Sequence, residues 1–330
     1  KLRVADNPDR WPRTLHARLI DALVKGGASA ITFDLYFIEP RPGTEDGLLA
    51  DAIQSARNVV LAQPLKSKDI PAAKFAGVFT SEEHRIVETI KPLEQVSRYA
   101  FGTAPFVLPQ LPVKVNQYWL FQTAAGDSPT FPIVAFQLYA LPACDEFLRL
   151  LERVDPAAAG KLPANGASAV AGGAVRFIRE VRSVFEGGAS LAPRMSAELE
   201  RSGLAARDPT KYSLVKSLIN MYGGSDHRYL NYYGPPRTMT TVPFYRVVQS
   251  QDVLRGDGAI DFNGKAVFVG LSEVSLTERK DSFYTTFSRP DGVFLGGTEI
   301  AATAFANLLQ NTPVSPVSLQ VFLSIAFCWG

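Results

Sequence analysis

"WPRTLHARLIDALVKGGASAITFDLYFIEPRPGTEDGLLADAIQSARNVVLAQPL", residues 11–65, changes its apolar period repeatedly, and those changes decide the fold. Leu15, Leu19, Ile20 and Leu23 recur at helical spacing. Pro12 suits the first helical position, where no backbone N–H is needed, and Gly26-Gly27 close the helix. "ASAITFDLYFIEP" then switches to a β-branched and aromatic run of strand length. "EDGLLADAIQSARN" returns to the helical period through Leu48, Leu49, Ala52, Ile53 and Ala56. "VVLAQPL" is a short uninterrupted apolar run, as in strands buried on both faces. The order is helix, strand, helix, strand, and a crossover of this length predicts a right-handed parallel pair.

Working outward, "VKVNQYWLF" (113–121) alternates as a strand does, and "AAGDSPT" after it is turn chemistry. "TFPIVAFQLYAL" reads as a helix capped by Thr130, and "DEFLRLLERV" continues helical. Residues 155–192 are rich in Ala and Gly. They read as an irregular insertion, a mobile flap with limited helix around Val175 to Phe185. "DPTKYSLVKSLINMY" is a helix with Asp208 as cap and Pro209 at its first position. "HRYLNYYGPP" reads as a strand ending in a turn, and "VPFYRVVQ" as a short helix. "DFNGKAVFVGLSE" reads as a tight turn feeding a buried strand. "GGTEIAATAFANLLQ" enters a helix through two glycines, with Thr298 as cap and Glu299 near the positive helix end. Alternating strands and helices predict an α/β fold: a three-layer domain with a mostly parallel central sheet.

Apolar residues make up 46% of the 330, enough for a sizeable core. A net charge of +2 without a basic cluster argues against nucleic acid as a partner. Cys144 is the one cysteine outside the C-terminal apolar run, so no intramolecular bridge is expected; this suits the cytosol and the periplasm equally. Catalytic signatures are incomplete. "GAIDFNGKA" has the wrong glycine spacing for a phosphate loop, and Ala266 stands where a Mg²⁺-binding hydroxyl is needed. Ser213 and Lys216 form S-x-x-K, with "SDH" at 225–227, but no K-T-G follows. His16, His84 and His227 lack ligand spacing, so no metal site and no cofactor is expected.

Ligands of open α/β sheets bind beyond the carboxyl ends of parallel strands. Asp34 and Glu39 follow the first strand, Gln63 the second, Ser272 and Glu273 follow "AVFVG", and Tyr233 ends another strand with Asp281 nearby in a loop. If the strands are neighbours, these seven residues share a rim suited to a cation or an amine; as ordinary caps and turn residues they do not. Asp34 lies within its strand and needs a partner for its carboxylate.

The last 31 residues, after Glu299, carry no charged side chain, and from Val317 the chain is almost wholly apolar. A membrane helix needs ~20 such residues. Two readings fit: a buried C-terminal core helix, or the start of a truncated transmembrane helix in 313–330, hinged at Pro313 and Pro316. The opening "KLRVADNPDR", without Met or signal peptide, reads as a fragment.

Residues 11–65, followed later by "NYYGPP", "DFNGKAVFVGLSE", "KDSFYTTFS" and "DGVFLGGTEIAATAFANLLQ", resemble the second-type CHASE domain. That family comprises extracytoplasmic sensors of bacterial nucleotide cyclases, histidine kinases and serine/threonine kinases. The resemblance covers roughly 1–65 and 228–311, with the middle only loosely matched. It implies an extracytoplasmic sensor over 1–312, with 155–192 as an insertion, held in the inner membrane by flanking transmembrane helices. It further implies a class III cyclase as effector, with a kinase as rival. A soluble periplasmic solute-binding protein or enzyme is the alternative from a different class. Expected partners are a small-molecule or protein signal and the lipid bilayer, with a homodimer left open. The fragment itself is expected to have no catalytic activity.

Overall fold

The computed structural model describes residues 8–70, 84–109, 114–249, 260–271, 282–288, 294–315 and 319–329. Its opening units are α1 (Arg13–Lys25), β1 (Ala30–Phe33), α2 (Glu45–Ala56) and β2 (Val59–Gln63). β1 and β2 are parallel, with Ile31 opposite Val59 and Phe33 opposite Leu61, as the crossover predicts. Every residue of both strands is buried, which is why neither alternates in polarity. β2 stops at Gln63, two residues earlier than the apolar run suggests, because Pro64 has no N–H to continue the ladder. β3 (Leu65–Ile70) and β4 (His84–Thr89) then form a separate antiparallel ribbon. After α3 (Glu94–Ser97), β5 (Gly102–Pro105) adds in parallel to β2.

Short strands follow: β6 (Gln117–Trp119), β7 (Phe121–Gln122) and β8 (Ser128–Pro129). α4 (Phe131–Tyr139) is buried from Phe131 through Leu138. Thr130 stands at its N-cap, but the hydroxyl donates to the Trp119 carbonyl (2.7 Å) and makes no side-chain cap. The chain continues through α5 (Cys144–Val154), α6 (Pro156–Ala159), α7 (Gly166–Ala171), α8 (Ala174–Glu186), α9 (Leu191–Arg201), α10 (Leu204–Arg207) and α11 (Pro209–Gly223).

The helix expected around Val175 to Phe185 is α8, while the flap reading of the rest of 155–192 is corrected, since this stretch also folds into α6 and α7. Asp155 caps α6 by accepting from Ala158 N (3.0 Å), and Asn165 caps α7 through Ser168 N (2.8 Å). Phe177, Ile178, Val181 and Phe185 of α8 are buried in the main core. Asp208 caps α11 as expected, accepting from Lys211 N (2.9 Å).

β9 (His227–Tyr229) pairs antiparallel with β6 and stands outside the central sheet. α12 (Phe244–Gln249) precedes β10 (Ala266–Val269), which runs parallel to β1 on the side away from β2. β11 (Ser282–Phe283) and β12 (Leu295–Gly296) form a small antiparallel pair leading into α13 (Gly297–Gln310). The central sheet has the order β10-β1-β2-β5, all parallel. Its faces divide by the strand period of two. Ile31, Phe33, Val59 and Leu61 meet α1 and α2 in one core, while Ala30, Val60 and Ala62 meet α4, α8, α11 and α13 in the other.

α14 (Leu319–Trp329) belongs to neither core. Phe327 and Trp329 are 89% and 90% exposed, so the core-helix reading of the apolar run does not hold. Among the described residues, no helix is long and apolar enough to cross a membrane.

Candidate functional site

β10 is an edge strand of the central sheet, and its four residues are only half-buried. Along its free edge lies a cavity of about 380 Å³, within the range that small ligands occupy. Leu19 and Leu23 of α1 wall one side, and Thr298, Glu299 and Ala302 of α13 the other. The outer wall is made by Met239–Val242, Phe244, Val247 and the turn Ile260–Phe262. Lys265 and Gly270 mark the two ends of the strand.

The start of α13 is locked to the sheet here. Thr298 Oγ1 donates to Asp34 Oδ2 (2.9 Å), and a Cβ at Gly270 would overlap the Thr298 hydroxyl. Thr298 is therefore no helix cap. The N-cap residue is Gly296, and the Thr298 hydroxyl serves the tertiary contact. Glu299 faces the cavity and accepts a main-chain bond from Arg237 N (2.8 Å). Burial raises its pKa above the ordinary carboxylate value, while bonds from the Arg237 and Met239 N–H groups pull the other way.

The structure distributes the candidate rim residues. Asp34 and Gln63 lie at the carboxyl ends of adjacent strands. The period of two turns Gln63 to the α1–α2 face and Asp34 to the α13 face. Glu39 is exposed in the loop beyond β1, where its carbonyl accepts from Arg13 Nη2 (3.3 Å). Tyr233 lies at the other end of α13, bonded to Gln310 Oε1 (2.9 Å) and Asn307 Nδ2 (3.1 Å). With ~1.5 Å of rise per residue, Asn307 is about 13 Å along the helix from Thr298. The reason is topological: Tyr233 follows closely on β9, which pairs with β6 outside the central sheet. Ser272, Glu273 and Asp281 lie outside the described residues. Sequence reasoning noted Thr298 and Glu299 only as helix-terminal residues. In the outer wall the short helix expected in "VPFYRVVQ" is α12, but nothing in residues 239–247 marked them as the wall of a cavity.

A second polar cluster is closed to solvent. Arg13 is 1% exposed, and its guanidinium donates to the Asp9 carbonyl (3.2 Å) as well as to that of Glu39. Its Nε faces Asp46 Oδ1 at 3.5 Å, an ion pair without hydrogen-bond geometry. Asp46 Oδ2 accepts from Arg41 N (2.7 Å), and Glu45 Oε2 from Arg13 N (2.8 Å). This network ties the starts of α1 and α2 to the β1–α2 loop.

Ser213 is exposed, and Lys216 is bonded to Glu200 and Tyr212 (3.4 Å each); neither is set up as a nucleophile. Among the described residues no His, Cys, Asp and Glu group could hold a metal ion.

No curated protein and no solved structure matches the chain. The family model described as the CHASE2 domain matches residues 3–330, the middle helices included. The chain thus belongs to the CHASE2 domain family, whose members are extracytoplasmic sensor domains and not catalysts.

Proposed function

We propose that this chain is the periplasmic input domain of an inner-membrane receptor whose effector is a class III adenylate or guanylate cyclase. The observation that carries the membrane part is α14, an apolar helix with its large side chains exposed beside a domain whose own cores are filled. An exposed apolar surface of this kind marks a membrane or protein interaction. The cavity beside β10 is the place for the signal, with Thr298 and Glu299 at its inner wall and Asp34 behind Thr298.

α13 suits the task of transmission. Its start is held by Asp34, and its end by Asn231, whose N–H donates to Asn307 Oδ1 (2.8 Å) and whose carbonyl accepts from Asn307 Nδ2 (2.9 Å). A ligand that favours one placement of this helix would shift the receptor between two states.

Two measurements on the full-length protein test the reading. A phosphatase reporter placed in a surface loop of this domain should be active, since it folds only outside the cytoplasm; an inactive reporter refutes the periplasmic assignment. Membranes carrying the full-length protein should convert ATP or GTP to the cyclic nucleotide. Autophosphorylation without cyclase activity would hand the effector to the kinase reading. Recovery of the full-length protein in the soluble periplasmic fraction would favour a solute-binding protein.

A further inference from the structure

Among the described residues no strand pairs with the outer edge of β10, and that edge carries more information than the cavity's size. The Lys265 and Val269 carbonyls accept from Ser29 N and Asp34 N (2.8 Å each), and that of Val267 from Thr32 Oγ1 (2.9 Å). These three residues therefore turn their main chain toward β1. The period of two turns the N–H and C=O of Ala266 and Phe268 the other way, into the cavity. They are the groups to which a further strand would bond.

Glu299 and Lys265 stand at opposite ends of this slot, each near a group of the other sign, Arg237 and Asp261. Glu299 stands at the Gly270 end, since Gly270 packs against the neighbouring Thr298. A carboxylate has about four acceptor sites, so its main-chain bonds leave room for a cation. Lys265 stands at the other end, held only by a loose 3.4 Å pair with Asp261 in which both side chains are more than half exposed. The five steps from Lys265 to Gly270 span about 16 Å at ~3.3 Å per residue. The walls between are apolar: Leu19, Leu23, Val242, Phe244 and Phe262.

We infer that this slot binds a short extended peptide of about three to four residues, added as a strand antiparallel to β10, with its free amine at Glu299 and its free carboxylate at Lys265. Main-chain bonds to Ala266 and Phe268 give affinity without reading sequence. The apolar walls favour small aliphatic side chains, and the terminal charges set length and direction. The inference names the signal for the receptor reading above and rests on that reading for its biological meaning; the binding itself does not.

The test is calorimetric titration of the purified chain in detergent with trialanine, tetra-alanine and valyl-leucyl-valine. Each is also supplied N-acetylated and C-amidated, with butylamine as the control for a simple amine. Free peptides should bind, and either block should weaken binding at least tenfold. Glu299→Gln keeps an acceptor for Arg237 N and should erase the penalty of acetylation alone; Lys265→Ala should erase that of amidation alone. Ala266→Pro removes an outward N–H at the first position of an edge strand, where proline is tolerated, and should weaken every peptide.

No heat with any peptide at millimolar concentration overturns the inference. So does binding indifferent to Glu299→Gln and Lys265→Ala in chains with unchanged melting, or butylamine binding as tightly as the peptides. Such a failure leaves the receptor reading intact, because the reporter and cyclase measurements involve no peptide.

Discussion

His16 is surrounded by rings, with centroids of Phe37, Phe244 and Phe33 at 5.3, 5.8 and 5.9 Å and Trp11 stacked at 6.2 Å. Burial in this cage, and then the nearby Arg13 guanidinium, lower its pKa from 6.5 to about 4. The unfolded chain takes up the proton first as pH falls, so His16 costs no stability above pH 6.5 and a growing amount from there to pH 4. The full loss is on the order of 3 kcal/mol at ~1.4 kcal/mol per pKa unit. Chemical denaturation at pH 7 and pH 4.5 should show it, and His16→Phe should flatten that part of the profile; an equal decline in both proteins would place the sensitivity elsewhere. The neighbouring ion pair predicts a harsher effect. Asp46→Ala leaves the Arg13 charge buried, and breaking such a pair costs ~3–5 kcal/mol, read as a lower denaturation midpoint at constant slope. Neither role was legible beforehand: His16 lies on an ordinary apolar helix face, and only the fold brings Trp11, Phe33 and Phe244 around it.

Elements that declare themselves by period were readable; elements that depend on distant partners were not. α1 and α2 follow from residues 11–65 because each buries its own periodic face, and β1 and β2 because they are short apolar runs buried on both faces. β10 and α13 were readable for the same reason. The Ala/Gly-rich stretch read as a flap because composition outweighed pattern, yet Phe177, Ile178, Val181 and Phe185 keep a helical period and are all buried. Phe177→Ala should therefore cost ~3–5 kcal/mol, as for a core aromatic; a loss below 1 kcal/mol would restore the flap. The cavity could not be read at all, since its walls come from residues near 20, 240, 260 and 300. α14 makes the opposite prediction to α8. Its side chains are exposed and outside both cores, so deleting 319–329 should leave the melting temperature within a degree or two and raise solubility. A fall of tens of degrees would mean that the helix is core.

Among the described residues, the two cores share one central sheet. Ile31 and Phe33 fill one core while Ala30 between the same strands fills the other, and Val59 and Leu61 oppose Val60 and Ala62 in the same way. Neither core can lose its packing without exposing the back of strands that the other needs. A chain of 330 residues exceeds the size at which single cores stop growing, about 250–300 residues, and an ordinary expectation would be two separable transitions. The shared sheet argues for one. Two tryptophans report the two sides: Trp11 packs on Phe244 beside the α1–α2 core (5.0 Å between centroids), and Trp119 lies on β6 against His227 (5.7 Å) across the sheet. Replacing Trp329 and either one of these by Phe leaves a single probe. Urea titrations of the two resulting proteins should superimpose in midpoint and slope, and calorimetric and van't Hoff enthalpies should agree. Transitions separated by more than the fitting error would show that the α1–α2 layer opens alone. The single transition also matters for the signalling proposed above: a ligand that tightens the β10 edge would then stabilise α13 as part of one cooperative body.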